Sequence, residues 1–296
     1  METELTGPGW KCAWPLCCEL GEGPVWVERD QALWFVDIER PAVHRFDPAT
    51  GKHASFTPPW RVGSIAPRVA GGFIAGTEAG LALVDPVAGR WDIFAEPETH
   101  LPANRFNDGK VDPAGRFWAG TMDDTKRHKQ GSLYRVDADL RWTAEDCDYG
   151  ITNGPAFSPD GRVMYHSDTR SRTTYAFDVA ADGNIAGKRV FAQWPRDFGS
   201  PDGMTVDAGG DLWVAFWGGC CVRRVSPAGA VLAKFDLPVS NVTSMAFAGP
   251  GLDRLFVTTA RQALDCDALE AQPLAGGLFE LDADGARGCP PVEFAG

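Results

Sequence analysis

Short apolar runs rich in Val, Phe, Trp and Tyr alternate with Gly, Pro and Asp turns along the chain, and no long helical periodicity competes with them. That pattern predicts short antiparallel strands. One recurring segment is a strand centred on an aromatic or apolar residue. It occurs as Leu33-Trp34-Phe35-Val36, Gly72-Phe73-Ile74-Ala75, Arg116-Phe117-Trp118-Ala119, Val163-Met164-Tyr165-His166, Asp211-Leu212-Trp213-Val214 and Arg254-Leu255-Phe256-Val257. A second segment ends in an acidic turn, as in His44-Arg45-Phe46-Asp47-Pro48 and Ala82-Leu83-Val84-Asp85-Pro86, with Ser226 replacing the acid in one copy. Its apolar residues Phe46, Val84, Val136, Phe177, Val225 and Leu281 are 38, 52, 41, 48 and 56 residues apart. A repeat of about 40–50 residues with several strands per unit is a propeller signature. The chain is therefore expected to be all-β, a six-bladed β-propeller with four-stranded blades.

A third segment opens each unit. Four copies begin with a carboxylate or carboxamide: Glu22-Gly23-Pro24-Val25-Trp26, Asn107-Asp108-Gly109-Lys110-Val111, Asn153-Gly154-Pro155-Ala156-Phe157 and Asp202-Gly203-Met204-Thr205-Val206. The second unit opens with Gly63-Ser64-Ile65 and the sixth with Thr243-Ser244-Met245, so the repeat itself does not require an acid or amide there. In a propeller the first strand of each blade lines the central channel. Equivalent positions at its start converge at one channel end, and large sequence separations become spatial neighbourhood. Glu22, Asn153 and Asp202 would then offer two carboxylates and an amide oxygen. Two negative charges close together in a narrow mouth call for a counter-ion. Three oxygen donors suit a hard or borderline divalent ion such as Ca, Mg, Mn, Zn or Fe(II), with positions left for water and substrate. Asn153-Gly154-Pro155 and Asp202-Gly203 also read as Asx-type turns, whereas Glu22 is a poor turn former.

The sixth unit has no obvious fourth strand beyond Pro290-Pro291-Val292-Glu293-Phe294. A segment near residues 11–18 is expected to pair with it and close the ring. Residues 1–10 are read as an N-terminal arm and 11–296 as a single propeller domain. A closed ring exposes no sheet edge, which makes a monomer the default.

Composition narrows the partners. A formal net charge of −12 argues against nucleic acid and anionic membranes, which need clustered Lys and Arg. Met1 to Trp10 lacks a basic-then-apolar leader, so a cytoplasmic location is expected. The eight cysteines contain no C-x-x-C pair and are expected to be free thiols. No G-x-S-x-G elbow is present, and the histidines show no metal-pair spacing. His166 is expected to be packed, and Trp26, Trp34, Trp118 and Trp213 to lie in the core, with Trp217 a candidate wall of a pocket.

These residues carry a resemblance. Glu19-Leu20-Gly21-Glu22-Gly23-Pro24, Arg105-Phe106-Asn107-Asp108-Gly109-Lys110 running to Gly120-Thr121-Met122, Asn153-Gly154-Pro155 and Ser200-Pro201-Asp202-Gly203 resemble the gluconolactonase, regucalcin (senescence marker protein) and luciferin-regenerating family. Within it the chain is most similar to bacterial sugar-lactonases, including xylonolactonase-like members. The resemblance implies one divalent ion on Glu22, Asn153 and Asp202, and sugar-hydroxyl contacts from Arg105 and Asn107. It implies hydrolysis of a sugar lactone, with Asp202 as general base as well as ligand, or as ligand only. A non-catalytic cation- or ligand-binding propeller and a related propeller esterase are the alternatives. Mammalian members carry an acidic substrate contact where Thr125 stands here, which makes Asp123 and Asp124 candidates for that contact. The basic run Lys126-Arg127-His128-Lys129 is expected to be a solvated loop.

Overall fold

The computed structural model describes residues 5–296. Six antiparallel sheets are arranged around a central channel. The innermost strands, in ring order, are Gly21–Val27, Val62–Pro67, Asn104–Val111, Thr152–Phe157, Ser200–Val206 and Val242–Ala248. Each packs beside the next, and the last beside the first. Each of the first five blades is a four-stranded meander, because the Asp and Gly turns connect adjacent strands.

The ring closes where expected. Trp10–Trp14 pairs with Leu278–Leu281 as the outer strand of the sixth blade, through Trp10 opposite Leu281 and Cys12 opposite Phe279. Thr6–Gly7 adds a short fifth strand to that sheet by pairing with Trp10 and Lys11. Of the expected arm, residues 1–4 lie outside the described residues. Pro290 to Phe294 does not extend the sixth blade. The tail instead crosses the channel: Gly288 bridges to Asp207 of the fifth blade, and Phe294 to Arg68 beside the second.

The core lies between blades. Trp34, Trp118 and Trp213 are almost fully buried, each donating its indole N–H to the acid of a neighbouring turn, Asp30, Asp112 and Asp207, at 2.9–3.0 Å. A buried indole needs such an acceptor, and Asp112 and Asp207 also anchor the turn leaving the inner strand by accepting its backbone amides. His166 is fully buried with its ring against the edge of Tyr149.

Candidate metal and lactone site

The six inner strands share one irregularity. Each departs from regular pairing just after its first residues: between Glu22 and Val25, Val62 and Ser64, Phe106 and Gly109, Asn153 and Ala156, Pro201 and Met204, and Val242 and Ser244. A β-bulge re-aims the side chain it carries. Beyond the bulge the register is common. Val25, Lys110, Ala156 and Thr205, each three residues past a polar opener, pair with Trp34, Trp118, Tyr165 and Trp213. Glu22, Asn107, Asn153 and Asp202 are thus equivalent, and all four are buried.

The remaining two positions of the ring carry no donor, for identifiable reasons. A Cβ on Gly63 would lie 2.5 Å from the backbone oxygens of Phe106 and Asn107, so the second blade has no room for a side chain there. Thr243 turns its hydroxyl to the carbonyl of Gly21 at 2.5 Å, into the seam between the sixth and first blades.

Asn153 is oriented by a directed chain of hydrogen bonds. The Thr169 hydroxyl donates to the Pro201 carbonyl at 2.7 Å, so its oxygen accepts from Asn153 Nδ2, also at 2.7 Å. Asn153 Oδ1 therefore faces its ring neighbour, and Asn107 Nδ2 lies 3.3 Å from it. Asn107 Nδ2 also donates to the Thr152 carbonyl, and Asn107 Oδ1 accepts from Arg105 Nη1 at 2.7 Å. Arg105 is held in turn by Asp124 through Nε at 2.8 Å, and Asp124 by Arg61 at 3.0 Å. Among the described residues, Arg105 Nη2 has no protein partner.

The carboxyls feel one another. Burial first, then Asp202 and Asp108, push Glu22 well above the usual carboxylate range; the Gly23 amide and Arg105 pull the other way. Burial, then Asp108, raise Asp202 in the same manner. Carboxyls this close and this dry are stable as a charged set only with a cation among them. No three His, Cys, Asp or Glu side chains group as a metal-holding cluster among the described residues. The third donor to an ion between Glu22 and Asp202 would be the Asn153 amide oxygen, and two carboxylates with one amide suit a hard divalent cation.

Asp108 was not singled out in the sequence, although a signal existed. It occupies the position at which the equivalent copies carry Gly23, Gly154 and Gly203. Both its oxygens are taken, by the amides of Gly109 and Gly154 at 2.8 Å each. Of the two acids considered as substrate contacts, Asp123 is consumed by its own loop. It accepts from the Thr125 amide and hydroxyl, the Arg127 amide, and the amide and ring of His128. Asp124 holds Arg105 rather than facing the ring. Lys126 and Arg127 are exposed, and Lys129 pairs with Asp168 at 3.1 Å. Trp217 ends the second strand of the fifth blade, half-buried and packed against the cluster around Leu20 and Ala260.

Residues 20–261 match the family model described as SMP-30/Gluconolactonase/LRE-like region. The chain belongs to this family. It is 37% identical over 278 residues to a 6-deoxy-6-sulfogluconolactonase of Pseudomonas putida, covering 94% of this chain and 95% of the relative. It is 36% identical over 294 residues to human regucalcin, with 97% and 98% covered. Among solved structures, a calcium-binding protein, regucalcin, of Agrobacterium tumefaciens superposes with a TM-score of 0.92 at 31% identity, with 97% of each chain covered. A luciferin-regenerating enzyme superposes with a TM-score of 0.87, also at 31% identity, covering 94% and 95%. This SMP-30/gluconolactonase/LRE-like chain is therefore a lactonase-family propeller along nearly its full length.

Proposed function

We propose that the protein hydrolyses a sugar lactone, a pentono- or hexonolactone, to the aldonic acid, using one divalent ion held by Glu22, Asn153 and Asp202. The observation that supports this reading is that two buried, electrostatically coupled carboxyls and an oriented amide oxygen occupy equivalent positions on the inner-strand bulges. The lactonase and regucalcin relatives support it. When bound, a divalent ion there supplies Lewis-acid polarisation of the lactone carbonyl.

The chain's own residues do the rest. Asp202 accepts the proton of the attacking water at a carboxylate oxygen while the water oxygen bonds to the carbonyl carbon. The ring C–O bond then breaks as Asp202 returns that proton to the departing ring oxygen, giving a carboxylic acid and a freed hydroxyl. Arg105 Nη2 donates to a sugar hydroxyl, and Asn107 keeps both Arg105 and Asn153 in place. Orientation within a dry mouth supplies a further part of the acceleration.

The test is acid release in a pH-stat with a panel of aldonolactones. Turnover that collapses in chelator and returns with one divalent ion supports the proposal. Cation binding without turnover across the panel would make the protein a binding propeller instead.

A further inference from the structure

Beneath the ring, the channel widens into a chamber of about 340 Å³. Its walls are mostly apolar, including Ile65, Val111, Phe157, Val206 and Phe247, and the tail segment Gly288 to Val292 covers its far end. One cation projects into this space. Lys110 of the third blade donates from Nζ to the Met204 carbonyl at 2.7 Å. Met204 is two residues past Asp202, on the bulge that carries it. Asp108, from the same strand as Lys110, receives the Gly154 amide at 2.8 Å, on the bulge that carries Asn153. One strand thus reaches two further blades and holds the supports of two candidate ligands.

An ammonium in such a chamber is costly. Burial pulls the Lys110 amine down, and Asp108 opposes that. A methionine of similar length would fill the space without the desolvation penalty. The charge therefore needs a role, and the sum of charges in the buried group supplies one. Glu22, Asp108 and Asp202 bring three negative charges, and Lys110 one positive. The other cations nearby are otherwise engaged: Arg105 and Arg61 share Asp124, and Glu39 and Glu78 complete that network, while Lys126 is exposed to solvent.

We infer that Lys110 is a positioning residue that braces the Asp202 bulge and offsets Asp108, so that the ring presents two net negative charges, matched to a single divalent cation. The inference rests on the proposed metal site and adds to it a determinant of cation valence that lies outside the ligand set.

Competition calorimetry with Ca²⁺ and Tb³⁺, ions of similar size and different charge, reads this directly, with thermal melting to verify folding. Lys110→Met should raise the ratio of Tb³⁺ to Ca²⁺ affinity by about tenfold or more. Asp108→Asn should lower the ratio by a similar factor. The double variant should return it to within about threefold of wild type, because both charges are then gone. A purely structural role would weaken both ions together and leave the ratio fixed, and that result overturns the inference. If Lys110→Met fails to fold, Lys110→Gln, which also removes the charge but keeps a donor for the Met204 carbonyl, carries the same test. A wild-type protein that binds neither ion overturns the metal site itself, whereas binding with an unmoved ratio overturns only the role of Lys110.

Discussion

Asn107 Nδ2 stands 3.3 Å from Asn153 Oδ1, and the contact leaves the Asn153 amide a single orientation. Its nitrogen is already committed to Thr169, so the oxygen is what the ring receives. Replacing Asn107 by Leu would take the side-chain donor from the Thr152 carbonyl and leave Arg105 Nη1 only the Phe106 carbonyl. Each buried group left unpaired costs about 1–3 kcal/mol. Asn107→Leu is expected to lower the melting temperature and to reduce kcat/KM for lactone at least tenfold. Activity close to wild type would show that Asn107 orients nothing.

Gly63 tests the shape of the ring from its silent side. Its missing side chain admits the backbone of Asn107 and Phe106. The added methyl of Gly63→Ala has only main-chain atoms to push against, and overpacking of this kind costs about 1–3 kcal/mol. Chemical denaturation should show that loss. Displacement of Asn107 should also weaken divalent-ion binding, which an unrelated core defect would leave intact.

His166 makes a pH prediction. Burial holds its imidazole down at about 4, against an ordinary value of 6.5, and among the described residues neither ring nitrogen has a partner. The folded state therefore binds fewer protons than the unfolded state between these values. Stability should fall as pH drops through that window, by about 1.4 kcal/mol per pH unit for this one group. His44, also held at about 4 by burial, acts in the same direction. From pH 7 to 4 the melting temperature of wild type should fall more than that of His166→Phe, the variant having the shallower slope. Parallel curves would contradict this assignment.

Much of the architecture was legible because a repeat states the same instruction six times. The Trp and Phe strand centres and the acidic turns were enough to count blades, and the unpaired last blade pointed to the N-terminal strand. The equivalence of Glu22, Asn107, Asn153 and Asp202 followed from the same repetition. What stayed hidden depends on close approach between blades. Nothing local in Gly63 reports that another backbone will occupy its Cβ position, and nothing in Thr243 reports that Gly21 will accept its hydroxyl. Asp108 is simply the second residue of its unit opener in the sequence, and only the bulge sets Asn107 toward Asn153 and Asp108 toward Gly154. The tail crossing at Gly288 and Phe294 has no repeat counterpart, so the pattern could not place it.

Lactone hydrolysis of the kind proposed requires that Glu22, Asn153 and Asp202 share an ion. A crystal soaked in Mn²⁺ and measured for anomalous scattering answers that without relying on any substrate. The expected result is a single peak with an oxygen of each of the three side chains at roughly 2.0–2.6 Å, lost in Asp202→Asn or Glu22→Gln. A peak elsewhere, or none between those residues at saturating Mn²⁺, would contradict it.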